Sequence, residues 1–417
     1  MNPFTLEESR RTARAKAPAV LARNEGFWDR WARGYGRDDS FSQLNYGFYH
    51  PALSAVLEAE IATMRDINRR GSHFKRWDSA PLLEQARSDV AALAGADADE
   101  IALTRNASEA LNIVIQGTPL RAGDEVVCSD HDYTAVDQAW EQRAQREGIR
   151  IRRARVPLDP ANDEEVVAAF AAEISPRTRF MTITHVIHFI GQVLPVDRLC
   201  ALARSRGIEV LVDAAHSFAQ REFSAQRLGC DYLAASLHKW LGAPLGTGVL
   251  FVRKDRIAGL RPLYGDTVAA RDDVRRLEHF GNRPDSACAG IRESIRWHQA
   301  IGTAAKRERL LHLQRSWTVP LRANERYRVL SPSQSDRQTA IGAVRLEGVS
   351  AGVLGRHLME THRIFATVLK LTDGDALRIT PGLATSADEM AELLEALTRA
   401  PERLARGTRE AARRLWA

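Results

Sequence analysis

Between about residues 100 and 253, short apolar runs alternate with stretches in which apolar residues recur every three or four positions. "EIALT" precedes "NASEALNIVIQGT", "DEVVCSD" precedes "DQAWEQRAQREG", and "RFMTITHV" precedes "VDRLCALARSRG". "EVLVDAA" then leads through a connection to "CDYLAAS", and "TGVLFVR" closes the series. Alternation of period-2 runs with period-3.6 stretches predicts βαβ units, hence an α/β fold with a mostly parallel sheet and helices on both faces. From about residue 305 the pattern changes. The charged helix "AAKRERLLHLQRSW" opens a region of short segments that ends in "DEMAELLEALTRA", which reads as a smaller α+β domain. The boundaries expected are a segment 1–44 that packs with the small domain, a large domain 45–304 and a small domain 305–417. No internal repeat is visible.

Composition narrows the class. The 417 residues are 44% hydrophobic and 27% charged, an ordinary balance for a soluble chain with a large core. No apolar run is long enough to span a bilayer. The start, "MNPFTLEESRRTARAKAPAV", lacks the basic, apolar and small-residue order of a secretory signal, so the expected location is the cytoplasm. Cys128, Cys200, Cys230 and Cys288 lie far apart and form no CxxC pair, which speaks for buried thiols and against a zinc site or a disulfide framework. The net charge of +6 rests mainly on arginine, since only six of the 59 basic residues are lysines. The arginines are interleaved with Asp and Glu, the pattern of a mixed solvated surface more than of a nucleic-acid footprint. Chemistry that needs a primary amine therefore has few candidates.

Ligands of parallel sheets bind beyond the carboxyl ends of the strands, so the polar residues just after each apolar run are the ones that matter. In "TRNASEALN" a strand turns into a helix at Asn106, Ala107 and Ser108, where free N–H groups and a hydroxyl suit a phosphate or simply cap the helix. "SDHDYTAV" places Tyr133 where a ring covers a planar ligand or fills a core. "VLVDAAHS" ends an apolar run in Asp213, a carboxylate that needs a cationic or hydrogen-bonding partner, with His216 three residues on. In "SLHKWLGAPLGTG" Lys239 follows Ser236 and His238 and precedes a glycine-rich turn, whereas the other five lysines have charged or surface-helix surroundings. A desolvated lysine of this kind is a candidate for a Schiff base. A phosphate, a ring to cover, a ring nitrogen to pair and an aldehyde to hold together describe pyridoxal 5′-phosphate.

The order "TRNASEA", "DHDY", "THVIHFIGQVLP", "VDAAH", "SLHK", "LRIT" resembles the class V aminotransferase family of fold-type I pyridoxal-phosphate enzymes. "LNYGFYHP", "HKWLGAPLGTGVLFVRKDRI" and "EHFGNRPDS" are most similar to its isopenicillin N epimerase-like branch. The resemblance implies that Lys239 carries the cofactor and that Asp213 pairs with its ring nitrogen. It further implies that Ala107, Ser108, Ser236 and His238 hold the phosphate, that Tyr133 stacks on the ring, and that His216 stands near the ring hydroxyl. Arg378 of "LRIT", with Asn45 of "LNYGFYHP", would bind the substrate carboxylate. His188 takes a place usually held by Asn or Ser, as a ring-hydroxyl contact or a second base. The family implies a homodimer with a shared active site, in which Gly281 and Asn282 reach the partner's phosphate. The expected activity is aminotransfer on an α-amino acid or related amine. Epimerisation, racemisation and β-eliminating C–S cleavage are the alternatives, and a nucleic-acid-binding or regulatory protein that retains the fold without enzymatic activity is the outlying one. Desulfurases of the family use a cysteine in the C-terminal domain, and no cysteine follows Cys288 here, so persulfide formation is not expected.

Overall fold

The computed structural model describes residues 4–265, 269–371 and 373–415, with side chains through Leu404. Two compact units emerge. The larger comprises His50–Ile187 and Val193–Thr303, and the smaller comprises the N-terminal segment through Tyr49, His188–Gln192 and the chain from Ala304 onward.

The larger unit is built on a seven-stranded sheet. Its strands are β1 (Ile101–Thr104), β2 (Glu125–Ser129), β3 (Arg150–Ala154), β4 (Thr178–Thr184), β5 (Glu209–Asp213), β6 (Tyr232–Ser236) and β7 (Gly248–Val252). Their spatial order is β1-β7-β6-β5-β4-β2-β3. The run from β3 through β6 is parallel, while β7 is antiparallel to both β6 and β1 and is the one reversed strand. β1, β2, β6 and β7 are buried at every position, as strands covered on both faces are. This is the mostly parallel α/β sheet that the alternation predicts.

β3 escapes detection in the sequence for a physical reason. Its run "RIRRA" carries three arginines because it is an edge strand paired to β2 alone. Arg152 donates to Glu173 at 3.0 Å, and Arg153 to Asp137 and Glu141 at 2.7 and 2.9 Å. Charge on an edge strand also discourages pairing with another chain.

Among the helices of this unit are α1 (Ser54–Arg70), α2 (Ser79–Ala94), α3 (Ala107–Gly117), α4 (Thr134–Glu147), α5 (Asp163–Ala171), α6 (Val196–Ser205) and α7 (Ser286–Ile301). Side-chain caps start several of them: Asn106 Oδ1 accepts from Glu109 N–H, and Asn162 Oδ1 from Glu165 N–H. Trp140 of α4 meets Phe180 of β4 at a tilt, with ring centroids 5.4 Å apart, and Phe180 stacks on Tyr232 of β6 at 5.9 Å within the core. The indole N–H of Trp140 is satisfied by Thr182 Oγ1 at 3.0 Å.

A buried ion pair ties α2 to β1. Both amino groups of Arg87 donate to Glu278 at 2.8 Å, Arg87 also donates to Ile101 O, and Glu278 accepts from Leu103 N–H at 2.7 Å.

The smaller unit holds a four-stranded antiparallel sheet of β8 (Tyr327–Val329), β9 (Gly342–Leu346), β10 (Thr367–Leu369) and β11 (Ala376–Ile379), in the order β10-β11-β9-β8. Its helices include α8 (Thr303–Arg322), α9 (Ala351–His362) and α10 (Ala387–Leu415), besides three in the N-terminal segment, Leu6–Arg14, Pro18–Leu21 and Glu25–Ala32. Ser42–Gln43 pairs with Ile364–Phe365, so residues from both chain ends share one core with Leu44, Trp317, Leu377 and Leu393.

One reading is corrected here. Lys306 was expected among the surface lysines, yet it is 3% exposed, and burial pushes its pKa down to about 7. "AAKRERLL" looks like a solvated helix, but much of α8 is buried: Arg309 is fully buried as well and grips Glu25 with both amino groups. Density of charge along a helix does not reveal which face is covered.

Removing one partner of a buried ion pair leaves the other charge uncompensated. Arg87→Met should therefore cost about 3–5 kcal/mol in urea unfolding, and pairing it with Glu278→Leu should recover much of that loss.

Candidate active site

Strand register brings the predicted residues to one edge of the large sheet. Thr104 of β1 and Ser236 of β6 both pair with Gly248, the first residue of β7. Asp213 of β5 pairs with Ala234 on one side and Thr184 on the other. The carboxyl ends of four strands and the start of the reversed one thus share an edge.

Helix α3 starts against that edge. Ala107 N–H donates to Ser236 Oγ at 2.9 Å, which leaves the Ser236 hydroxyl proton available to a ligand. Among the described residues neither the N–H nor the hydroxyl of Ser108 has a partner. A Cβ at Gly248 would lie 2.6 Å from Asn106 Cα, so only glycine lets the helix start sit this close. Unengaged donors at a helix N-terminus, beside a serine hydroxyl, fit an anionic group such as a phosphate.

Asp213 is 6% exposed, and burial raises its pKa against the opposing effects of Ala215 N–H and the charge of Lys239. Ala215 N–H donates to Oδ1 at 2.9 Å. A buried carboxylate in this position favours a protonated partner. Lys239 Nζ lies 3.1 Å from His216 Nε2, and Trp240 Nε1–H donates to His216 Nδ1 at 3.2 Å. His238 is half-buried, with Nδ1 3.1 Å from Thr247 O. A carbonyl accepts only, so that nitrogen carries the proton. Burial and Lys239 hold His238 below the usual histidine range. Tyr133 is the N-cap residue of α4 and is 44% exposed, which excludes the core-tyrosine alternative.

The remaining candidates belong to the smaller unit. Arg378 on β11 is 5% exposed and donates through Nη1 to His188 O at 3.0 Å and through Nη2 to Asn45 Oδ1 at 2.9 Å. Asn45, itself buried, bridges to Thr380. His188 thus meets Arg378 through its backbone carbonyl, while its ring packs edge-on to Phe189 at 5.2 Å. Gly191, at φ +75°, lets this segment approach Ile341 O, which would lie 2.4 Å from any Cβ. In the larger unit, Gly281 turns at φ +87° and Asn282 is exposed.

Sequence reasoning passed over Trp240, Gly248, Asp132 and His185. Trp240 follows the lysine directly and looks like core. Asp132 sits inside the quoted "SDHDYTAV", but only the fold turns it inward. There it accepts from Ser129 N–H and Oγ and from Thr184 Oγ1, at 2.7–3.0 Å, linking the ends of β2 and β4. Burial pushes its carboxyl up to about 7. His185 follows β4 and donates its backbone N–H to Asp213 O at 2.9 Å. Burial and the charge of Arg221 push its ring down to about 3.

Residues 51–368 match the family model described as Aminotransferase class-V. The chain is 32% identical to the isopenicillin N epimerase of Streptomyces clavuligerus over 88% of its own length and 97% of that protein. It is equally identical to the enzyme of that name from Amycolatopsis lactamdurans over 86% and 95% of the two chains. A probable cysteine desulfurase 2 of Mycobacterium leprae is 28% identical over 73% of this chain and 76% of its own. Among solved structures, the cystine C–S lyase C-DES, in complex with its product cysteine persulfide, superposes with a TM-score of 0.79 at 23% identity, over 86% and 97% of the chains. That similarity extends the shared fold to nearly the whole chain.

Asp132 and His185 have opposite effects on stability versus pH. The raised Asp132 carboxyl takes its proton more readily in the native state, so its contribution is present in acid and lost as pH rises toward about 7. The lowered His185 contributes above 6.5 and loses that contribution as pH falls toward about 3. Between 3.8 and 6.5 the two slopes oppose each other. Relative to the native chain, Asp132→Asn should make unfolding free energy rise more steeply with pH in that window, by about 1.4 kcal/mol per unit. His185→Gln should tilt it the other way by a similar amount. Urea titrations at several pH values check both slopes, and unchanged slopes would contradict the assignment.

Proposed function

Because this chain belongs to the class V aminotransferase family, on its isopenicillin N epimerase-like branch, we propose that it is a pyridoxal-phosphate enzyme that moves the α-proton of an amino acid. The cofactor fits the residues present. Ala107, Ser108, Ser236 and His238 would hold its phosphate, Tyr133 would cover its ring, Asp213 would pair with its ring nitrogen, and Lys239 would carry its aldehyde carbon. When bound there, pyridoxal phosphate supplies a carbonyl for the substrate amine and a ring that accepts the electron pair left at Cα.

The residues then divide the work. Buried Asp213 keeps a proton on its ring partner, because a lone carboxylate there is costly. Arg378 receives the substrate carboxylate with a planar fork of donors, and Asn45 orients that fork. Nζ of Lys239, once released, takes the α-proton. Where the proton goes next decides the reaction. Return to Cα from a second acid, Tyr133 or His188, would invert the centre; without that return the outcome would be aminotransfer.

We favour return to Cα, and one observation carries this: two epimerases match at 32% identity over at least 95% of their own length. Aminotransfer, the outcome expected from the motifs, is the second reading. Cysteine-persulfide chemistry is disfavoured by the thiols themselves. All four cysteines are buried, and burial pushes Cys288 up to about 11, Cys200 up to about 12, and Cys128 and Cys230 well above the usual range. A reactive thiolate needs the reverse shift. A homodimer with Gly281 and Asn282 at the partner's phosphate completes the proposal.

Purified protein should show a visible absorption band with pyridoxal phosphate that borohydride abolishes and that Lys239→Ala never develops. Incubation with D- and L-amino acids in deuterated water should give an inverted, Cα-deuterated product. A keto acid would assign aminotransfer, and pyruvate with released thiol a C–S lyase. A colourless protein that exchanges no α-proton would overturn the enzyme reading. Arg378→Gln should raise KM about 10- to 100-fold, the equivalent of a charged hydrogen bond.

A further inference from the structure

Segment 278–285 of the larger unit is fastened at some residues and bare at the others between them. Its two ends are buried carboxylates. Glu278 accepts from both amino groups of Arg87 and from Leu103 N–H, and Asp285, 1% exposed, accepts through Oδ2 from Lys75 Nζ and Ser79 Oγ. Between them His279, Gly281, Asn282 and Pro284 are exposed, whereas Phe280 and Arg283 are half-buried. Arg283 donates through Nη2 to Leu103 O at 3.1 Å, its Nη1 stands 3.5 Å from Glu278, and its own carbonyl accepts from Lys75 Nζ and Asp285 N–H at 3.3 and 3.0 Å. Gly281 and Asn282 have no polar partner among the described residues.

Phe280 links this segment to the start of α3. Two guanidinium groups lie over its ring, with Cζ of Arg105 4.9 Å and Cζ of Arg283 5.3 Å from the centroid. The face of an aromatic ring is negative and attracts such cations. Arg105 is itself fixed by Glu109 in the first turn of α3: Nε and Nη2 donate to Oε1 at 2.9 and 2.6 Å, and the backbone N–H donates to Oε2 at 2.6 Å, with Tyr264 as a further partner. Its charge also offsets a carboxylate that would otherwise oppose an anion at this helix start. Arg105 directly precedes Asn106, the N-cap of α3. The ring of Phe280 thus rests against the residue that leads into Ala107 and Ser108.

We propose that Phe280 is a positioning residue: its ring, held by the guanidinium groups of Arg105 and Arg283, fixes segment 278–285 against the start of α3, so that Gly281 and Asn282 are presented in one conformation to the partner's phosphate. This rests on the homodimeric pyridoxal-phosphate reading for what the segment serves, but not for how it is held. Gly281 turns at φ +87° with nothing within 4 Å of a Cβ placed there, so no crowding fixes the tip. Its placement comes from the side chains on either side, and Phe280 is the nearer of them. A binding group that occupies its competent conformation only part of the time weakens apparent affinity in proportion. The clamp raises that share before the cofactor arrives. It also makes the helix start that would hold one protomer's phosphate the support for the segment offered to the other.

The first measurement needs no cofactor. Hydrogen exchange read by mass spectrometry on the cofactor-free full-length chain should quicken over 278–285 in Phe280→Leu and stay native in Phe280→Tyr, which keeps the ring; unchanged exchange in Phe280→Leu overturns the clamp. The second is affinity for pyridoxal phosphate, from absorbance titration. Phe280→Leu should weaken it about 2- to 10-fold, a share of what two guanidinium–ring contacts near the surface supply, and Phe280→Tyr should keep it native. Replacing Phe280 with mono-, di- and trifluorophenylalanine keeps the shape and drains charge from the ring face, so affinity should fall step by step; a flat series overturns the proposal. Mixed dimers of a Lys239→Ala chain with a chain that keeps Lys239 hold one site able to develop the visible band. Phe280→Leu should weaken that site when carried by the Lys239→Ala chain, and weakening only when it is carried by the other chain overturns presentation across the dimer. If the native chain binds no pyridoxal phosphate or stays monomeric, the homodimeric cofactor reading falls, and the exchange result alone decides the clamp.

Discussion

A Cβ at residue 248 would lie 2.6 Å from the backbone of Asn106, and the carboxyl edge of the large sheet depends on its absence. Gly248 is the start of the one reversed strand, and it pairs with Thr104 on one side and Ser236 on the other. Because nothing projects from it, α3 begins directly over the sheet and Ala107 N–H reaches Ser236 Oγ. That contact sets where the unpaired helix-start donors lie, and so where the proposed phosphate would be held. Pairing of β5 with β6 then sets the depth of Asp213 beneath them. The glycines after Lys239 in "SLHKWLGAPLGTG" thus do more than turn the chain, since the last of them shapes the anion cradle.

Beneath this edge the protein places ionisable groups that are buried or half-buried, and their environments push them in different directions. Asp213 and Asp132 are raised by burial, while His185 and His238 are lowered by it. Three of the four are held by fixed partners: Ser129 and Thr184 for Asp132, Ala215 N–H for Asp213, Thr247 O for His238. In a low-dielectric setting such partners determine protonation more strongly than the intrinsic acidity of the side chain does.

The smaller unit prepares a different kind of recognition. Arg378 sits on the central pair of its sheet, with one amino group on His188 O and the other on Asn45 Oδ1. A guanidinium oriented in this way keeps its fork planar and ready for a carboxylate. Both anchors come from segments remote in sequence, which join this unit through the Ser42–Gln43 pairing and the close packing of Gly191 on Ile341. Neither is suggested by the local pattern around "LRIT".

By itself the sequence determined the α/β class, the parallel run of strands and the residues at their carboxyl ends, because apolar periodicity and the abrupt polar terminus of each run are local properties. It also singled out Lys239, since a lysine in a mostly apolar stretch is locally anomalous. It missed β3, whose arginines suit an edge, and it misjudged Lys306, whose charged neighbours give no hint of which helix face is covered. Only the tertiary structure decided that Asp132 turns inward, that Gly248 must be bare, and that Trp240 addresses His216. Those facts depend on which backbone approaches which across strands 24 to more than a hundred residues apart, and close approach in three dimensions leaves no periodic trace in one.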